Sequence, residues 1–183
     1  MSNDRSRSGS RRGLDEYIRE LIRRLDVDEP QAGKRLREVV GDRSAAVSVD
    51  GETVLLQFVE GELQTEPIGR QEAVEHAHGI GLTDRQTVLA LLNGYLEVTE
   101  AIVHGRLEIK GTVDDIVRIA IAIEILIDGS TRIPALQQLA DEFRGDIHQA
   151  PFDISEFLPL QKPDSTAKEI EEYELLERLG LIP

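Results

Sequence analysis

An α+β fold is what this sequence predicts, and three observations carry the expectation. Apolar residues recur at three- and four-residue steps over Leu14–Leu25, which is helical spacing, and Val113–Ile127 is a helix so apolar that only Asp114, Asp115, Arg118 and Glu124 interrupt it. Between them, Ala45–Val49 and Thr53–Val59 are rich in β-branched and aliphatic residues and flank the turn signal Asp50-Gly51-Glu52, which reads as a hairpin. The chain has 183 residues and no cysteine, so it is long enough for one core without disulfide or thiolate-metal staples.

Residues 1–13 are rich in Ser, Arg and Gly and are expected to remain a solvated tail. They have no apolar segment behind the charges, so they do not read as a secretory signal, and no stretch is apolar enough to span a bilayer. The first helix then presents Leu14, Tyr17, Ile18, Leu21, Ile22 and Leu25 as one stripe. A second helix is expected with Asp28 as its cap and Pro30 in its first turn, burying Leu36, Val39 and Val40 and ending at Gly41. After the hairpin a third strand is expected over Glu62–Thr65. Ala73–Leu82 alternates Val74, His76, His78 and Ile80 with smaller or polar residues, which suits a half-buried strand.

Thr83 or Asp84 caps the next expected helix, which carries Val88, Leu89, Leu91 and Leu92 and stops at Asn93-Gly94. A short helix over Leu96–Val103 leads through His104-Gly105 into Arg106–Lys110, whose alternation makes a strand with one wet side. Thr112 and Asp115 form a capping box for the most apolar helix of the chain, Val113–Ile127, expected to end at Asp128-Gly129-Ser130. A helix over Pro134–Phe143 follows. Prolines 151, 159 and 163 make 150–164 an extended strap. Thr166 and Glu169 then open an acidic helix whose apolar side holds Ile170, Tyr173, Leu176 and Leu179. That helix reads as a solvated appendage, a lid, or a docking segment over 166–179 for a protein partner.

A net charge of −14 argues against nucleic acid as a partner, because affinity for phosphates comes from clustered Lys and Arg. His76 and His78 would share a face on a strand and invite a metal, but Glu75 precedes the pair and no Glu follows it before Glu97, so no metal is expected. Asp114 and Asp115 resemble paired catalytic carboxylates, yet a helix N-terminus explains them by the helix dipole. Gly79-x-Gly81 lacks the rest of a phosphate-binding fingerprint, and no serine sits in a nucleophile elbow. No cofactor and no catalytic residue is expected.

The segments Val88-Leu-Ala-Leu-Leu-Asn-Gly94, Ala101-Ile-Val-His-Gly105 and Arg106-Leu-Glu-Ile-Lys-Gly111 together resemble the signature half of the sterol carrier protein-2 domain family in order and spacing. Glu97-Val98-Thr99 departs from the Asn-Pro-Gln that the family often carries there. The resemblance implies a mixed five-stranded sheet covered on one face by helices, with extra N- and C-terminal helices. It also implies an apolar tunnel for fatty acyl, sterol or isoprenoid-like lipids. On that basis 14–145 is the lipid-binding domain, with its core at about 43–128, and 146–183 the strap and acidic helix. The expected lining is Leu89, Leu92, Ile102, Val103, Ile109, Ile116, Ile119, Ala120 and Ile123, with Tyr95 as a polar handle at the mouth. The expectation is a cytoplasmic, non-catalytic lipid carrier or presenter. The alternative is a structural or accessory subunit whose core is filled by its own side chains.

Overall fold

A computed structural model of the chain describes residues 12–145. The tail expected at the N-terminus, save its last two residues, and the strap and acidic helix expected over 146–183 lie outside the described residues. The elements run in the order α1 (Leu14–Asp28), α2 (Pro30–Val40), β1 (Ala45–Val49), β2 (Glu52–Val59), β3 (Glu62–Pro67), α3 (Arg70–His76), β4 (Gly79–Thr83), α4 (Arg85–Leu92), α5 (Val98–Val103), β5 (Glu108–Gly111), α6 (Val113–Arg132) and α7 (Pro134–Gly145).

The strands form one mixed five-stranded sheet in the order β3-β2-β1-β4-β5. Two tight hairpins build its first half. Asp50 and Gly51 both take positive φ, at 52° and 86°, and Glu60 and Gly61 repeat this at 52° and 83°. A two-residue loop with both φ positive matches the twist of the strands it joins, which fixes the antiparallel registers Ala45↔Leu56 and Phe58↔Leu63. β4 then pairs parallel to β1, with Ala45 opposite Gly79 and Val47 opposite Gly81. A parallel neighbour needs a crossover, and α3 supplies it.

That crossover corrects one expectation. Ala73–Leu82 is not a continuous strand: Arg70–His76 is helical and the strand begins only at Gly79. Ala73 is the buried residue of α3 and packs on Ala46 and Ile80, whereas Val74, which the alternation made a core residue, stands 64% exposed. A small residue lets the short helix lie flat against the sheet, so α3 covers one face while α1, α2 and α6 gather on the other.

The expected end of the longest helix is corrected as well. α6 runs through Asp128-Gly129-Ser130 to Arg132. Gly129 is there for closeness: a Cβ on it would meet Leu25 Cδ1 of α1 at 2.8 Å. The Ser130 hydroxyl stays inside the helix, donating to Ile127 O at 2.7 Å and lying 3.0 Å from Leu92 O. Ile22, Leu25, Leu36, Ile125, Ile133 and Leu136 form the helical core around this crossing. A second cluster joins α1, α4 and α7 through Tyr17, Leu89, Leu139 and Phe143, with the two rings edge to face at 4.9 Å.

Candidate functional site

Strand alternation sends Ala46, Ile80, Leu55 and Leu82 toward α3, and so it sends Ala45, Val47, Gly79 and Gly81 the other way. The second set is small. In register, Leu56, Ala45 and Gly79 lie side by side across the sheet, and so do Val54, Val47 and Gly81. The centre of that face therefore carries little side-chain volume, while larger residues rise at its flank on β2 and β3.

Opposite stands α6. Asp115, Arg118, Ile119, Ala122, Ile123, Leu126 and Ile127 follow helical spacing and make one face. Between that face and the small centre of the sheet lies a cavity of about 260 Å³. Its other walls are Leu14, Ile18, Leu21 and Ile22 of α1, Leu36 and Val40 of α2, and Val88, Leu91 and Leu92 of α4. Polar atoms contribute almost nothing to its surface. Gly81 measures the hollow directly. It is buried, yet a Cβ built on it would meet nothing within 4 Å, whereas one on Gly79 would strike Ile119 Cδ1 at 2.6 Å. A single water needs only about 10–15 Å³ of such space, so this is no packing defect.

The ionisable groups on the wall are gathered where α6 begins. Thr112 and Asp115 cap α6 reciprocally: the Asp115 amide donates to the Thr112 hydroxyl at 3.3 Å, and the Thr112 amide donates to the Asp115 carboxylate at 3.2 Å. Arg43 also pairs with Asp115, and it reaches Asp114 at 3.0 Å. The Thr112 hydroxyl above all, and then the Arg43 guanidinium, hold the Asp115 carboxyl below the usual carboxylate range against the opposing effect of desolvation. Arg118 donates to Asp114 at 2.9 Å and to Val39 O at 2.8 Å.

His76 and His78 do not share a strand face. His76 ends α3, with Nδ1 2.9 Å from Glu72 O, and His78 follows the helix, accepting at Nδ1 from the Ser44 amide at 3.2 Å.

Of the residues expected to line a tunnel, Leu92, Ile119 and Ile123 border the cavity. Leu89 is instead buried in the cluster with Tyr17 and Phe143, one helical step away from Val88 and Leu92. Ile109 packs into the cluster of Leu91, Val98, Ala101 and Leu107 and does not border the cavity. Ile116 and Ala120 are half-buried, one position off the α6 face that borders the hollow. Tyr95, Ile102 and Val103 are 43%, 39% and 76% exposed, because the short α5 turns Val98 and Ala101 inward instead.

The α1 residues and the strand residues Ala45, Val47, Gly79 and Gly81 were absent from the expected lining. The first have a visible apolar stripe that names no target. The second are recognisable only as small residues at alternate positions on neighbouring strands.

No family model and no curated protein matches the chain. Its fold is similar to that of sterol carrier protein 2. That solved structure superposes with a TM-score of 0.46 at 22% identity, covering 65% of this chain and 96% of its own. A UbiJ-SCP2 ubiquinone synthesis protein gives 0.48 at 18% identity, covering 66% of this chain and 93% of its own. A conserved hypothetical protein of Thermus thermophilus gives 0.47 at 22% identity, covering 69% and 92%. Among the described residues, no helix is long and apolar enough to cross a membrane, and no cluster of His, Asp or Glu is suited to a metal.

Proposed function

We propose that the protein binds one extended apolar ligand in this cavity, a lipid with a fatty acyl, sterol or isoprenoid-like body, and presents or releases it chemically unchanged in the cytoplasm. The observation that carries the reading is the hollow itself, about 260 Å³ walled almost entirely by carbon. Kept dry and empty, a void of that size would cost on the order of 6 kcal/mol at about 24 cal/mol per Å³. That is comparable with the whole stability of many domains. A bound hydrocarbon reverses the sign, since each buried methylene contributes about 0.8 kcal/mol. Leu92, Ile119 and Ile123, with Gly81 beneath them, are the proposed ligand contacts.

The polar groups nearest the cavity support a binding role over a catalytic one. The Ser44 hydroxyl lies 3.1 Å from His78 Nδ1 but donates to His76 O at 3.0 Å, and Nδ1 accepts from the Ser44 amide, so the hydroxyl proton is committed to the backbone. The motif resemblance over Val88–Gly111 points to the same lipid class. Residues 166–179 are the proposed docking segment for a protein that receives the lipid.

Organic extraction and native mass spectrometry of the purified protein test the reading. A copurifying lipid near one equivalent is expected. A ligand-free protein that also fails to take up a fluorescent fatty-acid probe would sink it and favour a scaffold or accessory subunit.

A further inference from the structure

The cavity has a mouth, and its position follows from which residues belong to two environments. Arg43 and Arg118 border the hollow, yet their side chains remain 39% and 38% exposed, and His78 is exposed beside them. A long cationic side chain that does both lays its carbon stem along apolar surface and holds its charged head in water. This explains how the wall includes two arginines and still shows almost no polar surface. The mouth therefore lies between the end of α2, the starts of β1 and β4, and the first turns of α6.

Hydrogen-bonding capacity at that mouth is lopsided. Asp115 is engaged by Thr112 and Arg43, and Asp114 by Arg43 at 3.0 Å and Arg118 at 2.9 Å. Among the described residues, three of the four carboxylate oxygens are thus engaged, and Asp114 Oδ1 is not. A guanidinium has five N–H donors and no acceptor, and Arg118 uses Nε on Asp114 and Nη1 on Val39 O, so Nη2 is left over. With Nδ1 of His78 accepting from Ser44, the neutral ring carries its proton on Nε2. The groups left over are these donors and one carboxylate oxygen, Asp114 Oδ1, which would repel an anionic head. Formal charge, by contrast, balances, since two guanidiniums face two carboxylates. A head with a full negative charge would meet Asp114 and Asp115 at close range, on a chain of net charge −14.

We infer that the ligand is an amphiphile whose apolar body fills the cavity and whose head, at the Arg43–Arg118 mouth, is an uncharged hydrogen-bond acceptor such as a ketone or ester oxygen. This rests on the lipid-binding reading above and adds to it the chemistry and orientation of the head.

Displacement of a fluorescent probe by a long-chain methyl ketone, the carboxylate and the alkane of the same length, at neutral pH, tests it. The ketone is expected to bind about fivefold more tightly than either of the others, the size of one hydrogen bond at a solvated edge. Asp114→Asn removes one negative charge and is expected to raise the carboxylate-to-ketone affinity ratio about fivefold. Arg118→Met is expected to bring the ketone-to-alkane ratio close to one. A carboxylate that binds the wild-type protein best, a ketone no better than the alkane, or ratios unmoved in both variants would overturn the inference while leaving a lipid cavity in place. Failure of all three compounds to displace the probe from the wild-type protein would overturn both readings.

Discussion

Gly79 and Gly81 point toward the same side of β4 two residues apart, and a methyl group added to each would have opposite consequences. At Gly79 it would sit 2.6 Å from Ile119 Cδ1, the end of a side chain that borders the hollow and would have to turn, and 3.2 Å from the Lys110 carbonyl oxygen, which would have to give by a few tenths of an ångström. Gly79→Ala is therefore expected to lose about 1 kcal/mol in a urea titration. At Gly81 there is nothing within 4 Å, and the residue is not at positive φ. Gly81→Val is expected to fold with equal or greater stability, since a β-branched residue suits a strand. It should still take up clearly less of a fluorescent lipid probe, because its side chain would occupy the hollow. A Gly81→Val protein that binds the probe as wild type does would show that the ligand lies elsewhere. These two glycines were legible in the sequence only as an incomplete phosphate motif, because what they do depends on the helix opposite them.

At the scale of elements, α6 shows why burial and apolarity diverge here. It is the most apolar segment of the chain, yet of its large aliphatic side chains only Ile125 is fully buried. The others on its inner face, Ile123, Leu126 and Ile127 among them, pack on the core clusters with one side and border the hollow with another. Its start was legible from the Thr112 and Asp115 spacing, since a capping box is local chemistry; its end was not, because Gly129 serves the crossing with α1.

The cap also makes a pH prediction. Asp115 ionises below its ordinary value of 3.8 in the folded chain, so the stability it confers is fully present above that value and is lost as pH falls through the depressed one. Thr112→Ala is expected to cost about 1 kcal/mol at neutral pH. It should also shrink the loss of stability as the pH falls below 3.8, measured by urea midpoints at each pH. An unchanged acid profile in the variant would assign that loss to other carboxylates.

For the whole molecule, the proposed binding would couple folding to occupancy of the hollow. A ligand that binds only the folded chain stabilises it by mass action, about 2.7 kcal/mol when free ligand is a hundredfold above Kd. Protein stripped of lipid is therefore expected to melt at a lower temperature, and added lipid to restore the transition in a concentration-dependent way. A melting temperature indifferent to lipid would show the cavity to be unused. The coupling extends to helices that the sequence presented as additions to a smaller core. α1 supplies Leu14, Ile18, Leu21 and Ile22 to the wall and Leu25 to the core beneath Gly129, so the wall and the core share one helix.

By itself the sequence determined what depends on near neighbours. The helix stripes, the Asp50-Gly51 hairpin, the Thr112 cap and the α+β class all follow from spacings of a few residues. It also carried the motif order over Val88–Gly111 from which a five-stranded sheet and an apolar interior were expected. Tertiary structure alone decided that 70–76 is a helix lying across the sheet and which side chains border the cavity. A void is a property of surfaces brought together from distant parts of the chain. The same aliphatic residue is packed core or cavity wall according to what distant parts of the chain place opposite it.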